Sequence, residues 1–478
     1  MVSKKTHNAK NLEALGAERL SELLLEISGG DAALKRRLRL ELAGAAGPAE
    51  VAREVRKRLA TLAKARSFVD WHRQAAFVAD LDTQREAIVT KVAKGDPTEA
   101  LDLMWRFMAL ARPCYERCDD SNGRVGDVFR TACDDLGPLA TAARPDPANL
   151  ADRTFDALCE NDYGQFDDLI ESLAPALGMT GLDRLKARLT TWSKAPLPTP
   201  REEDRQPIGW GSRGAVYADE IERSRRESTV RLGLRQIADA QGDVDAFIAQ
   251  HSEKARSVPS VAAEITERLL QAGRATEAWT AIEAAQDRRH GYVPHEWKEA
   301  RLKVLEALGR NDDAQAFRYQ CFEQSLDAGH LRAYLKRLPD FEDIEVEERA
   351  LAMVHASESF HGALAFLVGW PALDLAADLV IGRAAELDGN LYYLLSPAAE
   401  ALSEKHPLAA TLTLRAMIDF SLGQGRSKRY RHAARHLQAC ERLSERITDF
   451  GSFGSHETYL ARLGAEHSRK SSFWGLLD

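Results

Sequence analysis

The sequence predicts an all-α fold, a right-handed α-solenoid of tetratricopeptide-like helix pairs in two segments. Three observations carry this reading. Gly273-Arg274, two residues, Glu277-Ala278 returns as Gly309-Arg310, two residues, Asp313-Ala314, an offset of 36 residues that is close to the period of tetratricopeptide helix pairs. Ala, Leu, Glu and Arg dominate and β-branched runs are scarce, which favours helix almost throughout. Apolar residues also recur at helical spacing on both sides of each phrase. In each copy the glycine supplies the left-handed conformation that ends one helix, and the alanine lets the paired helices approach closely.

Taken in order, residues 1–10 read as a disordered basic arm. Residues 11–193 read as an N-terminal helical domain. It opens with a stripe of Leu12, Leu15, Leu20, Leu23, Leu24 and Ile27 that stops at Gly29-Gly30. Asp31 is a natural N-cap for the next helix, a third runs from about Ala49 to Arg66, and Gly95-Asp96 joins a further pair, with Glu99-Ala100 echoing the repeat phrase. Residues 194–215 are rich in proline and glycine without helical period, and read as a linker or a long ordered loop between the two helical segments. Residues 216–478 read as the C-terminal repeat domain. Helices are expected over Tyr217–Gln241, Ala350–Val368, Asp374–Leu387, Leu408–Leu422, Lys428–Ile447 and about Ser455–Lys470. Gly242-Asp243 is a degenerate copy of the repeat turn, and the Phe473-Trp474 tail reads as a hydrophobic lid on the last pair.

The bulk properties narrow the function classes. The chain has 478 residues, 44% hydrophobic and 29% charged, with a formal charge of −8, which argues against bulk attraction to nucleic acid. Cysteines 114, 118, 133, 159, 321 and 440 lack the spacing of a secreted disulfide framework and read as buried thiols. No signal peptide follows the basic start, and the longest apolar stretch, around Ala363 to Ile381, is interrupted by Gly369, Pro371, Asp374 and Asp378. The expected setting is cytoplasmic, without membrane contact.

Several constellations resemble chemistry, and each has a plainer reading. Gly209-Trp210-Gly211-Ser212-Arg213-Gly214 matches dinucleotide and kinase glycine loops, but neither the preceding strand nor the kinase partners are found, which leaves a glycine-rich loop before a helix. His432, His436 and Cys440 share one helical face, yet Arg429, Arg431 and Arg435 crowd it against a cation. His456-Glu457 lacks the second zincin histidine, since Leu460 stands there. Asp119-Asp120-Ser121-Asn122-Gly123 lacks the alternating acids and terminal glutamate of a calcium loop and reads as a polar turn. Basic clusters occur at Lys35–Arg39, Arg53–Arg66, Arg223–Arg226 and Arg426–Arg435. In the last of these Tyr430 could stack on a base, so Arg426, Lys428, Arg429, Tyr430, Arg431 and Arg435 are the candidate partner-binding residues. No catalytic residue, cofactor or metal is expected.

Two segments carry a family resemblance. One is Asp119-Asp120-Ser121-Asn122-Gly123-Arg124-Val125-Gly126. The other runs from Pro407 through Arg426-Ser427-Lys428-x-Tyr430-x2-Ala433-Ala434 to His456-x2-Tyr459-x3-Leu463 and Phe473-Trp474. Together they resemble an uncharacterised proteobacterial domain of unknown function covering nearly the whole chain. That family is in turn similar to the helical region downstream of the zinc finger in bacterial SWIM-type proteins. The resemblance implies an all-helical, tetratricopeptide-like fold in a bacterial cytoplasm and supplies no catalytic residue. The finger's Cys-x-Cys and Cys-x-His are absent here, so its nucleic-acid role does not transfer.

The function expected is a non-enzymatic scaffold whose extended surface binds a protein or peptide. One alternative is a nucleic-acid-associated accessory protein using the basic helices. A second is an enzyme whose site assembles between helices.

Overall fold

The computed structural model describes residues 8–197, 207–211, 214–285 and 293–477. Most of them are helical, and they divide into two compact units, Met1–Gly273 and Arg274–Asp478. The division falls inside the first repeat phrase, and segment 194–215 lies within the first unit. Part of that segment is a β-hairpin. Pro207–Gly211 pairs antiparallel with Gly214–Tyr217, Trp210 opposite Ala215 and Gly211 opposite Gly214. Ile208, Trp210, Val216 and Tyr217 favour extended backbone, and the two-residue connection suits a tight hairpin. A strand therefore does precede Gly214, but it folds back on its neighbour and aims no helix at a phosphate. Ser212 and Arg213 of the glycine pattern lie outside the described residues, as do residues 1–7 of the basic arm. The end of that arm is already helical, because the Asn8 side chain caps Ala9–Glu13.

In the first unit the Pro48–Lys64, Pro97–Met108, Arg124–Ala143 and Leu169–Lys194 helices pack in succession. Their core holds Phe107, Phe129, Leu136 and Leu169, all fully buried. Asp96 caps Pro97–Met108 by accepting from the Glu99 amide at 2.9 Å, and Ala100 is buried. The Asp119–Gly123 turn is held by its own backbone. The two Asp120 carboxylate oxygens accept from the Val125 and Gly126 amides at 2.8 Å each, which spends them as a cap for the following helix. One expectation fails here. The stripe on Gly16–Ser28 faces no core, and Leu24, Leu25 and Ile27 are exposed. Helical periodicity fixes which residues share a face but not whether anything covers it.

The second unit is a solenoid by its contacts. Its helices run Ala275–Ala284, His295–Ala307, Asn311–Ser325, Ala328–Leu335, Glu342–His355, Phe360–Gly369, Leu373–Gly382, Tyr392–Leu402, Pro407–Gly423, Tyr430–Ser444 and His456–His467. Each meets the next, and from Glu342 to Gly423 each also meets the next but one. The single helix expected over Ala350–Val368 is two helices, broken before Phe360.

The repeat phrase explains itself residue by residue. Gly309 adopts φ +71° and its amide reaches the Glu306 carbonyl at 2.9 Å, while the Arg310 amide reaches the Leu305 carbonyl at 2.9 Å. This double closure is the Schellman motif. Gly242-Asp243 and Gly425-Arg426 make the same closure, with φ +67° and +61°. The arginine of each phrase pairs with the acid three residues on, Arg274 with Glu277 and Arg310 with Asp313, each with a contact of 2.7 Å. Arg310 also lies over the Trp279 ring at 4.4 Å, tying one repeat to the previous one. Ala278 and Ala314 are fully buried.

Phe473 is fully buried edge-on against Tyr430, with ring centroids 6.0 Å apart, so the aromatic tail closes the end of the unit. Among the described residues no helix is long and apolar enough to cross a membrane.

Ala314 sets a close helix–helix approach. Ala314→Leu is expected to destabilise the protein by about 1–3 kcal/mol through overpacking. Chemical denaturation would measure this, and an unchanged midpoint would show that Ala314 stands at no such contact.

Candidate functional site

A cavity of about 690 Å³ lies in the second unit, within the range usual for ligand sites. Helices Pro407–Gly423 and His456–His467 form two walls, and the turns at 384–389 and 453–454 close the others. Leu387, Leu412, Phe420 and Phe453 make it largely apolar. Gly389 is what allows the 384–389 turn to sit against the helix. A β-carbon there would lie 2.0 Å from the Ala416 carbonyl oxygen, far inside any real contact.

The polar groups converge on one side. Asp419 accepts from the Tyr459 hydroxyl at 2.9 Å and from Arg462 Nη2 at 2.8 Å, so its charge is already answered. Burial and the Asp419 charge both raise the Tyr459 hydroxyl well above its ordinary range, which keeps it protonated and donating. Arg415, one helical turn before Asp419, is in a different state. It is 7% exposed, lies 4.4 Å from the Tyr459 ring centroid, and donates from Nη1 to the Gly454 carbonyl at 2.9 Å. Its Nε and Nη2 are buried with no hydrogen-bond partner, and among the described residues no carboxylate pairs with it. Burial lowers its pKa. A buried guanidinium with two unanswered donors is costly, and the group that would answer it is an anion. A carboxylate or phosphate matches its planar fork.

The candidate residues read from the sequence meet this site only in part. Tyr430 is buried against Phe473 and cannot stack on a base, contrary to expectation, because the tail needs its ring as a packing surface. Arg429 reaches the cavity rim. It lies over Tyr392 at 4.7 Å and Phe420 at 5.6 Å, and donates to Asn390 at 3.2 Å. Arg426, Lys428, Arg431 and Arg435 are exposed, and among the described residues none of them forms an ion pair. In the N-terminal basic clusters Arg53, Arg56, Lys57 and Arg58 pair with Glu50, Glu99, Glu54 and Asp80, whereas Lys35, Arg37, Arg39, Lys64 and Arg66 are exposed and, among the described residues, form no ion pair. His432 is exposed while Cys440 is fully buried with its thiol pushed up to about 12 by burial, so the three-residue face does not converge. Sequence reasoning missed Arg415. It sits in the apolar run Leu408–Leu422, and a lone arginine in such a run is the one available signal.

Two measurements test these electrostatics. In the free protein Arg415→Met should leave the melting temperature unchanged or raise it, since an apolar chain of similar length removes an unanswered buried charge. A fall of several degrees would mean that the cation supports the fold. Burial lowers the pKa of His436 and of His456, with His432 and Arg415 adding to the effect respectively, and their Nδ1 atoms lack partners. Below about pH 6.5 the unfolded chain therefore binds more protons than the folded one, and stability falls as pH drops through that value. Denaturation midpoints between pH 7.5 and 5 should show the loss, and His436→Asn should weaken it.

Comparison with curated proteins yields no match. Among solved structures the chain is similar to a circular tandem repeat protein with novel repeat topology and enhanced subunit contact surfaces, at 14% identity over 98% of this chain and 94% of that one. The TM-score of 0.13 is too low to support any argument from that likeness. The sequence itself is decisive: over residues 2–476 the chain matches, and therefore belongs to, DUF6880, a family of unknown function.

Proposed function

We propose that the protein is a non-enzymatic helical-repeat scaffold that binds a segment of a protein partner in the second unit, with Arg415 receiving a carboxylate of that segment. The observation that supports this most is the pair of unanswered Arg415 donors in an apolar cavity. An apolar pocket with one unanswered charge suits a peptide side chain or terminus. Exposed Tyr392 and half-buried Arg429 beside the rim extend the surface a partner would cover. Aromatic and arginine side chains are the types that dominate such contacts. The non-enzymatic reading is supported by Asp419, whose two oxygens are committed to Tyr459 and Arg462 and serve poorly as a general base. Kinship with the helical region of SWIM-type proteins belongs to the same reading, without any function borne by a finger.

A second reading, association with nucleic acid, rests on Arg426, Lys428, Arg431 and Arg435, which are exposed and, among the described residues, form no ion pair. One experiment separates the two. Tagged wild-type and Arg415→Met chains are used for pull-down from a lysate of the source organism, with and without nuclease. The scaffold reading expects a protein partner that survives nuclease and is lost with Arg415→Met. Partners that vanish with nuclease, and that are lost on replacing Arg426, Lys428, Arg431 and Arg435 by Gln instead, would overturn it in favour of nucleic acid.

A further inference from the structure

A second constellation in the same unit lies outside the cavity and was not visible as a motif. His295 opens the His295–Ala307 helix directly after Pro294, and Glu299 follows one turn later, so the two share a face. His330 comes from the short Ala328–Leu335 helix, which is capped by Asp327. One ligand atom of each of the three residues lies within 4.8 Å of the other two. His330 Nδ1 stands 4.0 Å from Glu299 Oε1, and the two imidazole centroids are 6.3 Å apart. His330 is 5% exposed, whereas His295 is exposed and Glu299 half-buried.

We propose that His295, Glu299 and His330 bind a single divalent transition-metal ion, with zinc the best match. Two imidazoles and one carboxylate are a ligand set that zinc takes with water in a remaining position, and imidazole ligands select against calcium and magnesium. Zinc bonds to nitrogen and carboxylate oxygen of about 2.0–2.2 Å need ligand atoms no more than roughly 4 Å apart. Tetrahedral geometry sets them nearer roughly 3.4 Å apart, so the cluster must tighten by up to about 1.4 Å, and His295, exposed at the first position of its helix, can swing inward. His330 is the most enclosed of the three and fixes one side of the site. The charges around it are mixed. Asp327 and Glu299 favour a cation there, and Lys298 opposes one. The Asn311–Ser325 helix packs on both the His295–Ala307 and the Ala328–Leu335 helices. An ion held by His295, Glu299 and His330 would clip the first of these three consecutive helices to the third.

The test uses the full chain, stripped with a chelator and titrated with zinc alone by calorimetry, then with cobalt to read the visible ligand-field bands. We expect one equivalent to bind, the melting temperature to rise on loading, and cobalt bands of a nitrogen/oxygen site. His295→Ala and Glu299→Gln alter exposed or half-buried side chains and leave the fold intact; each should weaken binding at least tenfold and abolish the thermal shift. His330→Ala removes a buried ring and is informative only if its apo form melts as the wild type does. Absence of stoichiometric zinc binding, or binding that His295→Ala and Glu299→Gln leave unchanged, would overturn the assignment. The second result would place the ion at another histidine pair.

Discussion

Helices of eight to seventeen residues cannot bury an apolar stripe alone, and the second unit depends on that constraint. Each helix is covered by the next and, from Glu342 to Gly423, by the next but one. The chain must therefore reverse sharply at short intervals without leaving helix-end carbonyls unanswered. Left-handed glycines meet that demand at 309 and 425, where two amides close back onto the preceding turn. Small residues at the crossings complete the arrangement. Ala314 is fully buried, and the missing side chain of Gly389 admits the Ala416 carbonyl. The aromatic tail obeys the same constraint, with Phe473 fully buried against Tyr430.

Against that background the ion pairs lie mostly at the surface and carry little energy. Arg415 departs from the pattern. Its neighbour Asp419, four residues on along the same helix, would be the natural partner, but Tyr459 and Arg462 from the His456–His467 helix have already engaged it. The result is a desolvated cation held between aromatic rings with two donors unused. Energetically this is a cost to the free protein that a bound anion would remove, which is why the site points to a ligand and not to stability.

The basic clusters show how little local charge says about exposure. Arg53, Arg56, Lys57 and Arg58 look in sequence much like Arg426, Lys428, Arg431 and Arg435. The first group lies on a helix whose neighbours supply Glu99 and Asp80, and it is neutralised. The second meets no such neighbour among the described residues. Tyr430 shows the same point for shape. It stands among arginines in the chain, yet its ring packs against a residue 43 positions away.

The sequence by itself determined the helical class, the turn glycines, the buried alanines of the repeat phrase and the character of the Asp119–Gly123 turn. Each of these follows from backbone preference and spacing within one or two helical turns. Tertiary structure alone decided the uncovered stripe on Gly16–Ser28, the burial of Tyr430, the isolation of Arg415, and the meeting of His295 and Glu299 with His330. The physical reason is common to all four. Periodicity assigns a side chain to a face, but burial, pairing and coordination depend on what a distant segment brings to that face, and one helix carries no record of its neighbour.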